Sequence, residues 1–247
     1  MQKFYYDLHM HSCLSPCADD DMTPVTIAGI AALNGLNIAA LTDHNSCGNL
    51  PAFFEACRAY GVVPIAGIEL ETAESVHIVC LFEEYDNAMK FWQLVKENYM
   101  MPFKNDVAMF GGQYYMNSDD EITGTEEILL IASTTLSLDE GVALAREYGA
   151  FVFPAHIDRT SNGIIAVLGD IPPEPGFTAV EFNDGANIEE YRKKYSEVTN
   201  ALVLVDSDAH RVTSINEAVN FIELDADPTN EEAVRRTFFE YLRKGQL

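Results

Sequence analysis

The segment Asp7–Cys17, DLHMHSCLSPC, sets two histidines one residue apart near the start of the chain. There are only six histidines in all: His9, His11, His44, His77, His156 and His210. Side chains at i and i+2 of a strand share a face, so His9 and His11 project together, as do Asp208 and His210 in DSDAH. Glu69 and Glu71 in GIELE form another same-face pair, and Asp7 falls where it can orient the imidazole of His9. A buried carboxylate is costly unless it is paired or holds a cation. Acids and imidazoles gathered at strand ends therefore point to metal binding. The nitrogen and oxygen donors suit Zn, Mn or Fe, with too many imidazoles for Mg or Ca.

The elements that must position these donors are legible as seven short apolar runs: FYYDLHMH, IAALTDH, VVPIAGIEL, VHIVCLF, AFVFPAH, AVEFND and ALVLVDSDAH. Near-continuous apolar strands suit a parallel sheet buried on both faces. Helical patterns lie between them. In TPVTIAGIAALNGLN, Thr23 is a natural N-cap, Pro24 takes the first helical position and Gly35 stands past the end. NLPAFFEACRAYG and SLDEGVALAREYG each precede a strand. This alternation predicts a parallel α/β barrel or a doubly wound sheet. Every histidine except His77 ends a predicted strand, and His77 begins one. In such folds the C-terminal edge of the sheet is where ligands and catalytic groups gather.

The rhythm lapses between about 85 and 135, where an amphipathic helix (DNAMKFWQLVKENY) is followed by DVAMFGGQYYMNSDDEITG. Gly111-Gly112 between aromatic-containing runs reads as a hairpin turn, and the segment as an insertion, either a lid over a site or a structural excursion. The tail TNEEAVRRTFFEYLRKGQL predicts a closing helix, with a capping box from Thr229 to Glu232 and with Arg243 and Lys244 in the last turn.

At 247 residues and 48% hydrophobic content, residues 1–247 are expected to form a single domain with an ample core. Fifteen basic against 39 acidic residues give a net charge of −24, which argues against extended nucleic acid as a partner. Five cysteines, an odd number without a dense framework, suggest free thiols in a reducing compartment. No signal-peptide pattern and no membrane-length apolar run is evident, so the expected location is cytoplasmic, with no membrane partner. No Walker-type glycine-rich loop is present.

Taken together, DLHMHS (Asp7–Ser12), TDHN (Thr42–Asn45), GIE (Gly67–Glu69), VHIVCLF (Val76–Phe82), PAH (Pro154–His156) and SDAH (Ser207–His210) resemble the PHP family, the polymerase and histidinol phosphatase superfamily of metal-dependent phosphoesterases. The matches keep the family's order and span most of the chain. The resemblance implies a distorted (β/α)7 TIM-like barrel with two to three divalent transition-metal ions at the C-terminal ends of its strands. It also implies His9, His11, Glu69 and Asp208 around one metal, and Glu69, His77 and His156 around a second. His44 and His210 would hold a third, with one ligand from the loop after the first motif. Many relatives carry Asp or His there. This chain has SPCADDDM, with Cys17 nearest in register and Asp19 close by. Cys17 is either that ligand, favouring zinc or iron over manganese, or a small packed residue.

The resemblance makes the expected function hydrolysis of a small-molecule phosphate ester (a nucleotide, sugar or histidinol-type phosphate) by metal-activated hydroxide. Asp43, beside His44, is a candidate for steering protons or orienting a ligand, or else a structural hydrogen-bond acceptor. Arg159 and Arg211, each just past a metal-binding strand end, are candidates to grip phosphate, or else surface ion-pair partners. The alternatives are a nuclease acting on single-stranded ends and a non-catalytic metal-binding module. The charge opposes the first, and the retained ligand positions oppose the second.

Overall fold

The computed structural model describes residues 1–245. The chain opens with β1 (Gln2–Asp7), α1 (Pro24–Leu33), β2 (Ile38–Leu41), α2 (Leu50–Tyr60), β3 (Val63–Glu71) and β4 (His77–Phe82). Next come α3 (Tyr85–Asn98), a short α4 (Val107–Phe110) and a hairpin of β5 (Tyr114–Met116) and β6 (Ile122–Thr125). Then follow α5 (Leu138–Glu147), β7 (Ala150–Pro154), α6 (Ile164–Leu168), β8 (Ala179–Phe182), α7 (Ile188–Lys194) and α8 (Ser196–Asn200). The chain closes with β9 (Leu202–Val205), β10 (Phe221–Leu224) and α9 (Glu231–Lys244). All seven predicted strands form. Thr23 caps α1 by accepting from the Thr26 N–H, and Gly35 sits past its end at φ 80°.

The fold is α/β as expected, but its strands form a half-barrel of mixed sense in place of the distorted (β/α)7 barrel. Six strands in the order β10-β1-β2-β3-β4-β7 make a curled half-barrel, and β8 and β9 form a separate parallel pair. Strands β1, β2 and β3 are mutually parallel, whereas β4 runs against both β3 and β7, and β10 against β1. The reason for the reversal is the β3–β4 link. It is closed by the Thr72 N–H on the Val76 carbonyl (2.9 Å), with Ser75 at φ 62°. So short a turn cannot carry the helical crossover that parallel strands need. The edge strand β10 escapes the sequence pattern because only Ile222 and Leu224 of its four residues are buried.

Each strand sorts its side chains by alternation. On β3, Ala66, Ile68 and Leu70 join the cluster that Phe53 of α2 and Phe91 of α3 also occupy. The opposite face carries Val63 and Ile65, packed with Phe238 and Phe239 of α9, and continues upward through Gly67 to Glu69 and Glu71. One end of that face is thus sealed by apolar packing and the other is left for charged groups. The cap of α9 differs from expectation. Asn230 accepts from the Ala233 N–H (3.0 Å), while Thr229 donates its hydroxyl to Asp227 (2.8 Å), which removes Thr229 from the capping role. Arg243 in the last turn pairs with Glu83 at 2.8 Å.

In the inserted segment the hairpin turn lies at Asn117–Glu121, not at Gly111-Gly112. Asn117 Oδ1 accepts from the Asp119 and Glu121 N–H groups (3.1 and 2.9 Å), a turn chemistry that needs no glycine. Gly111 serves close approach instead: a Cβ there would lie 2.7 Å from the Pro16 carbonyl oxygen. The hairpin docks on the loop after β1 through Tyr114 N–H to the Cys13 carbonyl (3.0 Å). Asn49 clamps it, donating to the Tyr114 carbonyl (3.0 Å) and accepting from the Met116 N–H (2.9 Å).

Candidate metal centre

The antiparallel course of β4 explains the one histidine that begins a strand. Reversal puts the start of β4 beside the ends of β3 and β7, with His77 paired in register with Glu71. Past the end of β1 the chain continues in step with the segment after β9: the His11 N–H donates to the Ala209 carbonyl at 2.9 Å. His156 (φ 30°) and Asp208 (φ 48°) hold positive φ despite having side chains, a conformation that costs energy and concentrates at functional sites.

Glu69 is the hub. Its Oε1 lies 2.8 Å from His77 Nδ1, 3.1 Å from His156 Nε2 and 3.3 Å from His9 Nε2. Its Oε2 lies 2.8 Å from His44 Nδ1 and 3.4 Å from His11 Nε2. Asp208 Oδ1 faces His11 Nε2 at 3.1 Å and His9 Nε2 at 3.4 Å. These side chains are buried, yet His44 Nδ1, Glu69 Oε2, His77 Nε2, His156 Nδ1 and Asp208 Oδ1 have no hydrogen-bond partner. His44 Nδ1 and Glu69 Oε2 are close but misaligned, so proximity alone does not satisfy them. Each such buried atom costs about 1–3 kcal/mol when left unpaired. Cations in the cluster would resolve that cost for His44 Nδ1, Glu69 Oε2 and Asp208 Oδ1, which face it.

The far nitrogens of several rings are fixed from behind. Both carboxylate oxygens of Glu181 lie 3.0 Å from His9 Nδ1, which presents Nε2 to the cluster. Ser15 Oγ lies 3.1 Å from His11 Nδ1 and donates to Asp43 Oδ1 (2.8 Å), so its lone pair receives the His11 proton. His210 Nδ1 lies 2.9 Å from the Asp208 carbonyl oxygen. Asp7 does not orient His9 as its spacing suggested. It accepts from the Ser207 and Asn216 N–H groups, both at 3.0 Å, and so holds the turn that presents Asp208. The alternation of β1 breaks after Leu8, and that break separates Asp7 from the face it was expected to share with His9.

The electrostatics follow from this packing. Burial opposes ionisation of Glu69, but His77, His9 and His44 outweigh it and hold its carboxyl well below the usual range. Asp208 is likewise drawn down despite burial, chiefly by the neighbouring imidazoles of His9 and His11. His9 and His44 are raised despite burial, His9 by Glu181, Glu69 and Asp208, His44 by Glu69 and Cys17. His11 goes the other way, lowered by burial and by His210 and His44. Burial raises the Cys17 thiol, but His44 and a hydrogen bond from His210 bring it down to about 6.

Three overlapping groups place their donor atoms within 4.8 Å: His9, His11, Glu69 and Asp208; His44, Glu69 and His77; and His11, His44 and His210. His156 joins through its 3.1 Å contact with Glu69. The remaining candidates sit as follows. Arg159 Nη1 donates to Asp208 Oδ2 with its side chain half exposed at the rim. Arg211 turns outward to Asp19, Nε to Oδ2 at 3.6 Å. Asp43 is buried with both oxygens engaged, by the Ser12 N–H and hydroxyl at 2.7 Å and by Ser15. It is placed as an acceptor that sets Ser15, and through it His11. Glu181 and Ser15 are not singled out by motif spacing; the only signal for Glu181 is a charged residue inside the apolar strand AVEF.

Among known proteins, a 5'-3' exoribonuclease of Haemophilus influenzae is 33% identical over 79 residues, 31% of this chain and 28% of that enzyme. In structure, the chain is similar to the lesion-specific endonuclease Q of Pyrococcus furiosus, with TM-score 0.66 and 20% identity over 95% of this chain. It spans 55% of that endonuclease. A protein of Bifidobacterium adolescentis assigned as a metal-dependent phosphoesterase matches at TM-score 0.56 and 16% identity over 95% of both chains. No helix among the described residues is long and apolar enough to cross a membrane. The PHP domain family model matches residues 7–203. With that match running from Asp7 past the end of β8 and a buried His–Glu–Asp cluster suited to metal, the chain belongs to the PHP domain family of metal-dependent hydrolases.

Proposed function

We propose that the protein hydrolyses a phosphate ester in a compact phosphorylated substrate, with metal ligands drawn from His9, His11, His44, Glu69, His77, His156, Asp208 and His210. The observation that carries this reading is the convergence of five imidazoles, those of His9, His11, His44, His77 and His156, on one buried carboxylate, Glu69. Divalent Zn, Fe or Mn ions there would activate water near neutral pH and bind phosphoryl oxygens. The chain's own groups do the rest. Glu69 offers one oxygen toward His77, His156 and His9 and the other toward His44 and His11, so a single carboxylate sets the spacing between adjacent positions. Glu181 and Ser15 hold His9 and His11 in the tautomer that leaves Nε2 free. Arg159, half exposed beside Asp208, has guanidinium donors to spare for a substrate phosphate.

A nuclease is the second reading, favoured by the partial likeness to a 5'-3' exoribonuclease and by the fold shared with endonuclease Q. Endonuclease Q has been solved with a 27-mer duplex bearing an abasic lesion at its active site. Against an extended nucleic-acid partner stands the net charge of −24, which repels a phosphate backbone over most of the surface. The test is a turnover panel with metal-loaded protein: an aryl phosphate, nucleoside monophosphates, a sugar phosphate, histidinol phosphate, 5'-phosphorylated single-stranded RNA and DNA, and an abasic duplex. Turnover of the small phosphates with none of the nucleic acids is expected. Turnover of nucleic acid alone replaces the first reading with the second, and turnover of nothing removes both.

A further inference from the structure

The loop from Ser12 to Asp19 is strapped to the metal cluster on both sides of Cys17. On one side Ser15 Oγ accepts from the backbone N–H of His44 at 3.1 Å. On the other the Asp19 N–H donates to the His210 carbonyl at 2.9 Å. A turn closes the loop between them, Ala18 N–H to the Ser15 carbonyl at 2.9 Å. Cys17 lies between these two straps, one tied to His44 and the other to His210.

Beneath it, the ring of His11 packs 4.3 Å from that of His44 and 4.2 Å from that of His210, and the three offer donor nitrogens within 4.8 Å. That trio contains no anion of its own, unlike the other two groups, which share Glu69. His44 is buried with Nδ1 unpartnered. The other cysteines, Cys13, Cys47, Cys57 and Cys80, are buried, and Cys17 alone is exposed. Asp19, the nearest competing acid, directs its carboxylate to Arg211 and is more than half exposed.

We infer that Cys17 supplies a thiolate to a third metal position shared with His44 and His210, and that this position selects zinc, iron(II) or cobalt(II) over magnesium or manganese. Thiolate and imidazole are softer donors than the carboxylates that complete the other groups, so the cluster carries one position of different chemistry. The inference rests on the metal-dependent hydrolase reading and can fail without it.

The test is cobalt(II) reconstitution of chelator-stripped protein, read by near-ultraviolet absorption and by metal analysis. Wild-type protein should show a thiolate-to-cobalt charge-transfer band. Cys17→Ser should lose the band and one equivalent of metal while retaining the rest. Cys17→Asp should lose the band and keep the equivalent. A parallel measurement needs no variant: iodoacetamide should label Cys17 in stripped protein and spare it when zinc is bound. Absence of the band with unchanged stoichiometry in Cys17→Ser, or equal labelling with and without zinc, overturns the inference and leaves the hydrolase reading standing. Failure of wild-type protein to take up any metal overturns both.

Discussion

Glu71 and His77 face one another across the β3–β4 ladder, with His77 Nε2 3.4 Å from Glu71 Oε2 and His77 Nδ1 2.8 Å from Glu69 Oε1. One imidazole therefore touches both members of the same-face acid pair, but the two acids are not equivalent. Glu69 meets five histidines, whereas Glu71 meets His77 and the Ser133 hydroxyl (2.9 Å) at the cluster's edge. Glu69→Gln is expected to remove metal from adjacent positions and abolish turnover. Glu71→Gln should cost only about ten- to a hundred-fold, as for a group that steadies a ligand from behind. Metal analysis and kcat on both variants check this, and a larger loss at Glu71 would move the hub.

Glu181 lies behind the cluster with both oxygens 3.0 Å from His9 Nδ1, and its Oε1 also accepts from the His156 N–H at 3.1 Å. Glu181→Gln keeps the shape and removes the charge. Metal affinity should fall about ten- to a hundred-fold with the fold intact. Competition against a fluorescent chelator measures the affinity, and circular dichroism the fold. Unchanged affinity would mean that the ring of His9 is held by packing alone.

Stripping the metal should invert the protein's pH dependence. Without metal, burial disfavours charge on His9 and His44, but their carboxylate neighbours and the Cys17 thiol outweigh it and raise both. A raised histidine contributes stability fully present below its unfolded value of about 6.5 and lost as pH climbs through its folded value. Glu69 and Asp208 are lowered, so their contribution is present above the ordinary carboxylate range and lost on acidification. His77 and His210 are raised as well, whereas His11, lowered by burial and by His210 and His44, opposes the trend of these four rings. Stripped protein should therefore be most stable under mildly acidic conditions. Metal-loaded protein needs neutral imidazoles and should gain as pH rises. The Tm gap between loaded and stripped protein is expected to widen from about pH 6 to about pH 8, the window in which histidine titrates. A constant gap in differential scanning fluorimetry would contradict this.

Much of this site is legible in the sequence because its donors fall at fixed points on strands. His9, His11, His44, Glu69, His156, Asp208 and His210 all follow apolar runs, and the histidine that does not, His77, marks the strand that runs backwards. The sense of β4 was itself implicit in the short link TAES, which leaves no room for a crossover helix. Groups that act from behind were not legible. Glu181 stands alone in its strand with no partner at a telling spacing, and Ser15 reaches His11 and Asp43 only through loop geometry. The spacing that linked Asp7 to His9 misled because period-two alternation holds only while the strand does, and β1 ends at Asp7.

Asn49 gives the most direct handle on the inserted segment. It is fully buried, donates to Ser12 Oγ (2.9 Å) and the Tyr114 carbonyl (3.0 Å), and accepts from the Met116 N–H (2.9 Å). Ser12 in turn holds Asp43, which sets Ser15 and so His11. One amide therefore joins the hairpin to the hydrogen-bond chain behind a candidate metal ligand. Asn49→Ala leaves the half-buried Met116 N–H and Tyr114 carbonyl without that partner. Because water can reach them, the loss is that of an ordinary hydrogen bond, about 0.5–1.5 kcal/mol each. Two consequences are expected: a lowered Tm, and faster hydrogen exchange confined to Tyr114–Met116 and the loop from Ser12 to Asp19. If the insert only decorates the fold, exchange should rise in the hairpin alone, and metal affinity should match the wild type. If it braces the metal loop, affinity should fall together with protection of that loop, and Asn49→Asp, which keeps the acceptor for Met116 but not the donors, should give an intermediate loss.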